Sequence, residues 1–598
     1  MRHILLPTLL LPLITAVSLA GAIGLHTPYG YLLSIAVGLA KVLANAIGDI
    51  RHGRWSVDYI AFLALIVSVL THEWLAGAVI ALMYTGGTAL EAYATRRAEA
   101  SLADLLATFP KTALVKYTDG AKEIPLADIA PGTTIIVHSG ELVPLDGLLA
   151  SKEALLDLAN LTGESEPLPL AEGAVVKSGS VNAGGAFELS VAGTLQTSTY
   201  AKIIELVKTA AHDQAPFVRL ASRANIPFTL LALGISGAVY LLTDDIHRVL
   251  AVLVIATPCP LIIAAPVAFI GGIARAARKR IIVKSPTALE ILARVSRIYL
   301  DKTGTLTLGE PKLTSIIPLV PSIGESQALS LAAALEFHSI HPLARAVITA
   351  AQDRRMTPAP ATDTREVVGK GITGVVKGRY VSLEHAPSRN SPSDGISLLL
   401  SLDGEPIAVF HFADVLKAHA QKLLADLVEE GYAVAVLTGD REENARATLG
   451  DAKLTLYANC SPEEKYQIVE SARSHGAVVA MIGDGLNDAP ALAKADVGIV
   501  FSGTENSASI EAASVAILGR SVVHIQDLFA IARRSVRIAQ ESVYVGITLS
   551  VVGMLYAAAG YIPPVSGAIL QEGIDALVIL NALRTVFPPR RTPHAVYS

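Results

Sequence analysis

Eight long apolar runs dictate most of what this chain can become. The first, Ile4 to Gly24, carries no charged residue and is long enough to cross a bilayer. The others start at Pro28 (apolar to about Gly38) or cover Val57–Leu70, Leu75–Tyr93, Ile226–Leu242, Val249–Ala274, Val543–Gly560 and Val565–Leu583. Hydrocarbon offers no partner to a backbone amide, so each run that enters it must be helical. Hydrophobic residues at 52% against charged ones at 17% fit that reading, whereas a soluble enzyme of this size would carry more charge. Arg2, His3 and the small residues after the first run also fit a cleaved signal peptide. The length of the run and the span that follows at once favour a retained helix. Lys41 through Arg54, with Gly48 and Gly53, reads either as a kinked surface segment or as a plain span with a snorkelling lysine.

Eight spans place both termini on one side. The basic loops at Arg51–Arg54, Arg96–Arg97, Arg278–Arg280, Arg533–Arg534 and Arg590–Arg591 all fall there, and Asp244–Asp245 falls opposite. Positive-inside bias then makes the soluble regions cytoplasmic and the plasma (inner) membrane the expected location. A formal charge of -5 argues against a nucleic-acid partner. Only Cys259 and Cys460 are present, which leaves no disulfide framework and no paired-cysteine metal module.

Within the soluble stretch from about Arg275 to Gln540, Ile298-Tyr299-Leu300 reads as a buried strand that runs into Asp301-Lys302-Thr303-Gly304-Thr305. Two later segments repeat the pattern. Ala433–Leu437 leads to Thr438-Gly439-Asp440, and Val478–Ile482 leads to Gly483-Asp484-Gly485. Parallel strands would deliver Asp301, Thr438 and Asp484 to one crevice at their carboxyl ends. A carboxylate there can accept a phosphoryl group beside an acid that holds Mg²⁺.

These residues resemble the motifs of P-type ATPases, namely Asp-Lys-Thr-Gly-Thr and the hinge sequence Gly483 to Pro490. Thr162-Gly163-Glu164-Ser165, placed between the fourth and fifth spans in a region rich in Val, Ile and Thr, is similar to that family's actuator motif. The resemblance implies Asp301 as phosphoryl acceptor, with Lys302, Thr303, Thr438 and Lys465 around it. It implies Glu164 as the group that positions and deprotonates water. Mg²⁺ is expected at Asp301, Thr303 and Asp484, with Asn487 and Asp488 in support.

Glu336, His341-Pro342 and the run Gly369 to Gly374 resemble the nucleotide site of the heavy-metal branch, so ATP and Mg²⁺ are the implied cofactors. Ile340 stands where that branch usually has glutamate, and His341 could instead be a structural helix cap. The glycines would let backbone approach the nucleotide through Gly369 and Gly371.

The expected architecture is therefore a multidomain α-helical membrane protein of eight spans. Spans one to four occupy 1–95, a β-rich actuator domain 96–215, spans five and six 216–280, and spans seven and eight with a short tail 541–598. A HAD-like α/β phosphorylation domain takes 281–307 and 413–540, with an inserted α+β nucleotide-binding domain at 308–412.

In the sixth span, Pro258 and Pro260 cannot donate to the carbonyls of Val254 and Ala256, beside the intramembrane thiol of Cys259. A Cys-Pro pair here resembles the CPx motif of heavy-metal pumps, with Thr257 where a first cysteine is usual. The last span carries Gln571, Glu572 and Asp575 on one arc of a helix, upstream of Asn581–Arg584, which matches the end of that span in such pumps. One thiolate with carboxylates and an amide argues against Cu⁺ and toward Ni²⁺, Co²⁺, Fe²⁺ or Zn²⁺. The Thr-Pro-Cys and Gln-Glu-Gly-x-Asp pairing resembles a subgroup linked to nickel, cobalt or iron. No metal-binding module is expected ahead of the first span, which would put selectivity in the membrane or in a metal chaperone or small-molecule metal carrier. The chain is expected to work as a monomer in the bilayer. A potassium-pump-like catalytic subunit and a membrane-anchored HAD phosphatase are the alternatives. The first should lack the intramembrane Cys-Pro, and the second would need neither the actuator motif nor acids in the last span.

Overall fold

The computed structural model describes residues 2–25, 27–51, 59–89, 110–117, 120–157, 168–195, 198, 216–256, 259–337, 339, 341–357, 361–367, 371–386, 396–450, 454–484, 488–502 and 513–588. Among them four helices are both long and apolar enough to cross a membrane: Pro28–Gly48, Ile226–Thr243, Val523–Ala558 and Pro564–Leu583. Four further apolar stretches, Leu10–Leu25, Ile60–Leu70, Trp74–Ala89 and Ile246–Ile255, are helical but shorter. The second run is one unbroken helix from Pro28 to Arg51, so Lys41 sits inside a continuous helix without a kink at Gly48.

The sixth run is divided. Its first helix is started by Asp245, whose carboxylate accepts from the amides of His247 and Arg248, and it stops at Ile255. The second begins at Cys259 and continues to Arg278. Thr257 and Pro258, between the two helices, lie outside the described residues.

The seventh run belongs to a 36-residue helix, Val523–Ala558, which at 1.5 Å per residue is about 54 Å long. That exceeds any bilayer, and its first half is part of the soluble body. Phe529 packs on Tyr432 with ring centroids 5.1 Å apart, and Gln526 donates to Asp426 at 2.7 Å. The expected domain boundary at 540 thus lies inside one continuous helix.

A seven-stranded sheet forms that body. In spatial order its strands are Ile281–Val283, Val515–Leu518, Val497–Ser502, Val479–Gly483, Arg297–Asp301, Ala433–Leu437 and Thr455–Tyr457. All neighbours are parallel except the Ile281 strand, which runs antiparallel at the edge. Both faces are covered, so the strands read as apolar runs; every residue of Val479–Gly483 is buried. Chain order reverses direction on either side of Arg297–Asp301, and open α/β sheets bind their ligands at such a switch point.

Between the first and later strands is a six-stranded antiparallel sheet with helices Glu325–Glu336 and Pro342–Asp353 packed against it. Its strands Thr307–Pro318 and Glu405–Leu416 pair with each other and lead directly out of and back into the larger sheet. A separate β unit spans the described part of 110–195, with a six-stranded and a three-stranded sheet.

Candidate functional site

The strand Arg297–Asp301 ends in a tight loop over Lys302–Leu306, in which Gly304 takes φ +72. A side chain at 304 would have to place its Cβ 3.1 Å from the Asp484 carboxylate, so glycine is required twice over. The loop is pinned from outside. Thr307 donates to Asp414 at 2.5 Å, and Lys417 donates to the Gly304 carbonyl at 2.6 Å. Burial pulls the Lys417 ammonium down to about 7, with Arg520 adding to the effect.

Asp301 is buried, and Lys465 reaches it across the crevice. The lysine Nζ donates to Asp301 Oδ1 at 2.6 Å and to Asp488 Oδ1 at 2.7 Å. Its helix, Pro462–Ser474, opens on a capping box in which Ser461 and Glu464 satisfy each other's backbone amides, with Pro462 in the first turn. That local chemistry fixes where the helix starts and so aims Lys465 one turn later. Lys302 pairs with Asp440, and Thr438 is buried with its hydroxyl accepting from the Asp440 amide at 3.1 Å. Thr303 is exposed at the mouth.

Burial pushes the Asp301 carboxyl up to about 7, with the Asp488 charge adding to the rise and Lys465 working against it. Burial works against the charge on Lys465, yet the two carboxylates override it and raise its pKa. Asp301 and Asp488 thus share one ammonium, Asp484 adds a further negative charge beside Asp301, and Asp488 Oδ2 is buried with no hydrogen-bond partner among the described residues. This surplus of carboxylate oxygen fits a hard divalent cation such as Mg²⁺. Asn487, expected beside it, lies outside the described residues, as does Glu164 between the paired strands Glu153–Asp157 and Leu168–Ala171.

Lys465→Met should leave two facing buried acids without a cation, a change costing roughly 3–5 kcal/mol. The Asp301 carboxyl, already raised by burial and the Asp488 charge, would then lose the ammonium that works against that rise. A raised carboxyl stabilises below its unfolded pKa and loses that contribution as pH climbs through its folded value. The drop in thermal midpoint is therefore expected to be largest near pH 8 and to shrink toward pH 6, as measured by scanning fluorimetry.

In the inserted domain, Glu336 is buried at the end of its helix, and burial with the nearby Glu366 charge pushes its carboxyl up to about 7. His341 caps the helix Pro342–Asp353, its Nδ1 accepting from the Leu343 amide at 3.2 Å. The structural role weighed against nucleotide contact is thus a real one for this ring. Gly371 opens the strand Gly371–Val376 at φ +142, where a Cβ would meet the Leu383 carbonyl at 2.2 Å. Gly369 lies outside the described residues.

In the membrane, Gln571 and Asp575 are both buried and joined by a 2.8 Å hydrogen bond, while Glu572 is half-buried. The Cys259 backbone begins its helix directly after the break. The structure adds Ser550, whose hydroxyl donates to Gln571 Oε1 at 3.2 Å from the neighbouring helix. Ser550, Asp414 and Lys417 escaped the sequence reading. Their partners lie 21, 107 and 113 residues away, and only the pattern of a polar residue in an apolar run could have flagged Ser550.

Residues 107–208 match the P-type ATPase actuator domain family, and 296–496 match the haloacid dehalogenase-like hydrolases. The chain is 30% identical to the zinc/cadmium/lead-transporting P-type ATPase of Escherichia coli K12, over 96% of this chain and 82% of that protein. It is 31% identical to a copper-exporting P-type ATPase of Legionella pneumophila, over 85% and 74% respectively. A crystal structure of a zinc-transporting PIB-type ATPase in the E2.Pi state aligns over 97% of this chain and 99% of its own, with TM-score 0.67 and 30% identity. With the motifs in order and the Asp301 crevice assembled at the switch point, the chain belongs to the heavy-metal (PIB-type) family of P-type ATPases.

Proposed function

We propose that the protein uses ATP to export a divalent transition-metal cation, working through an aspartyl phosphate at Asp301. The observation that carries this reading is the buried Asp301–Lys465–Asp488 cluster at the sheet's switch point. Asp301 attacks the γ-phosphorus, the bond to ADP breaks, and a carboxyl–phosphate bond forms. The Lys465 ammonium offsets charge on the phosphoryl oxygens, and Thr438 and Lys302 line the same crevice. Asp301 and Asp484, with Thr303 and with Asn487 and Asp488 in support, would hold Mg²⁺, which when bound neutralises phosphate charge. Glu336, His341, Gly369 and Gly371 would contact the nucleotide. Water then attacks the phosphorus as Glu164 takes its proton, which frees Asp301 and inorganic phosphate.

Eight spans with cytoplasmic soluble domains fit the eight apolar stretches and the basic loops. Cys259, Gln571, Glu572 and Asp575 would bind the transported ion, with Ser550 orienting Gln571. The named relatives carry zinc, cadmium, lead or copper. One thiol with two carboxylates and an amide is a harder set than paired cysteines, so Ni²⁺, Co²⁺, Fe²⁺ or Zn²⁺ fits better than Cu⁺.

Glu164→Gln should form phosphoenzyme from ATP normally and lose it slowly, because only hydrolysis needs a base. Labelled phosphoprotein chased with unlabelled ATP should persist at least about 10²-fold longer than in the unsubstituted protein, the scale of general-base removal. Decay at the unsubstituted rate would remove Glu164 from the mechanism.

A further inference from the structure

A cavity of about 900 Å³ lies apart from both sites, where the soluble body meets the membrane helices. Three elements wall it: the start of helix Pro216–Thr243, helix Pro286–Leu292 with the residues just after it, and the middle of the long helix Val523–Ala558. Its upper wall is basic, with Arg294, Arg533 and Arg537. Its lower rim is apolar and open, with Leu220 63% and Tyr544 62% exposed. Arg537 stands six residues before the apolar run that begins at Val543, roughly 9 Å along the helix axis. The cavity therefore sits at headgroup depth, with a tyrosine at the level where such side chains anchor a membrane protein.

The charges do not cancel within the protein. Arg533 is used, pairing with Glu430 at 2.5 Å and lying over the Tyr432 ring at 5.5 Å. Glu290 is buried, accepts from the Phe217 amide at 2.6 Å and pairs loosely with Arg294 at 3.7 Å. Arg537 is exposed and makes no ion pair among the described residues. Two arginines thus face the cavity against the single carboxylate of Glu290, above an apolar slope.

We propose that this cavity binds one anionic phospholipid from the leaflet facing the soluble domains. Its phosphate sits between Arg294 and Arg537, and its acyl chains lie along the lipid-facing surface below Leu220 and Tyr544. A basic pocket between membrane helices on that side is the arrangement that selects acidic headgroups. A planar guanidinium suits a phosphodiester better than a point charge would. The lipid would bridge three elements that lead to different parts of the pump, so its occupancy should alter turnover.

The test uses the full chain in an uncharged detergent, titrated with dioleoylphosphatidylglycerol or dioleoylphosphatidylcholine and read by native mass spectrometry. Phosphatidylglycerol should be retained in preference, at one copy per chain. Arg294→Gln and Arg537→Gln should each weaken that retention about 5-fold, and the double variant about 25-fold, with the thermal midpoint unchanged. Arg537→Lys should restore part of the loss. Equal retention by the double variant, or no preference over phosphatidylcholine, would overturn the proposal. So would displacement by 10-fold molar excess of inorganic phosphate over lipid, since that would mark a free-anion site.

Discussion

Asp301→Asn is expected to yield no phosphoenzyme from ATP and to lower ATP hydrolysis by roughly 10³-fold or more, the scale on which enzymes lose activity without their nucleophile. An amide oxygen cannot carry the phosphoryl group as a leaving carboxylate does. The substitution barely changes volume and leaves Lys465 paired with Asp488, so folding should survive. Burial and Asp488 already hold the native carboxyl near 7, which means neutralising it costs the fold little. Loss of activity with an unchanged thermal midpoint is therefore the expected pair of results. A labelled, hydroxylamine-labile phosphoprotein in this variant would move the acceptor elsewhere.

The second large effect is expected in the membrane. Asp575 is buried beside Gln571 in the last span, and a charge at mid-bilayer costs roughly 2.5–3.5 kcal/mol on insertion scales. Asp575→Asn relieves that cost and keeps the shape, so insertion and yield should be unchanged or better. Metal-stimulated ATP hydrolysis should nevertheless fall, and metal affinity should drop by at least roughly 10–100-fold, the range for disturbing even a ligand's support. Cys259→Ala should behave alike, since it removes the sulfur proposed as a ligand of the ion. Nucleotide binding should persist in both variants, because the inserted domain has its own core. Unchanged metal stoichiometry in detergent, for both, would place the ion at other groups, with Glu541, Glu91 and His72 the first to examine.

The Asp301 crevice was legible because its pattern is local in sequence: an apolar strand that runs into Asp301 announces itself over a few positions. What could not be read were the long-range clamps. Thr307 meets Asp414, and Lys417 meets the Gly304 carbonyl, because the inserted sheet folds out and returns as paired strands. That register follows from side-chain packing far from either residue. Nor could the length of the helix Val523–Ala558 be read, since it passes position 540 without a breaker. His341 shows the remaining ambiguity of a motif: the same ring that resembles a nucleotide contact also caps its helix.

The central claim is that metal occupancy in the membrane drives phosphoryl transfer at Asp301. Its most direct test is ATP hydrolysis by the purified chain in liposomes, assayed with Ni²⁺, Co²⁺, Fe²⁺, Zn²⁺, Mn²⁺ and reduced Cu⁺ in turn. At least one of the first four ions should stimulate hydrolysis and be carried across the membrane, with both effects absent in Asp301→Asn and in Asp575→Asn. Hydrolysis that proceeds equally with and without every metal, or stimulation by Cu⁺ alone, would contradict the account.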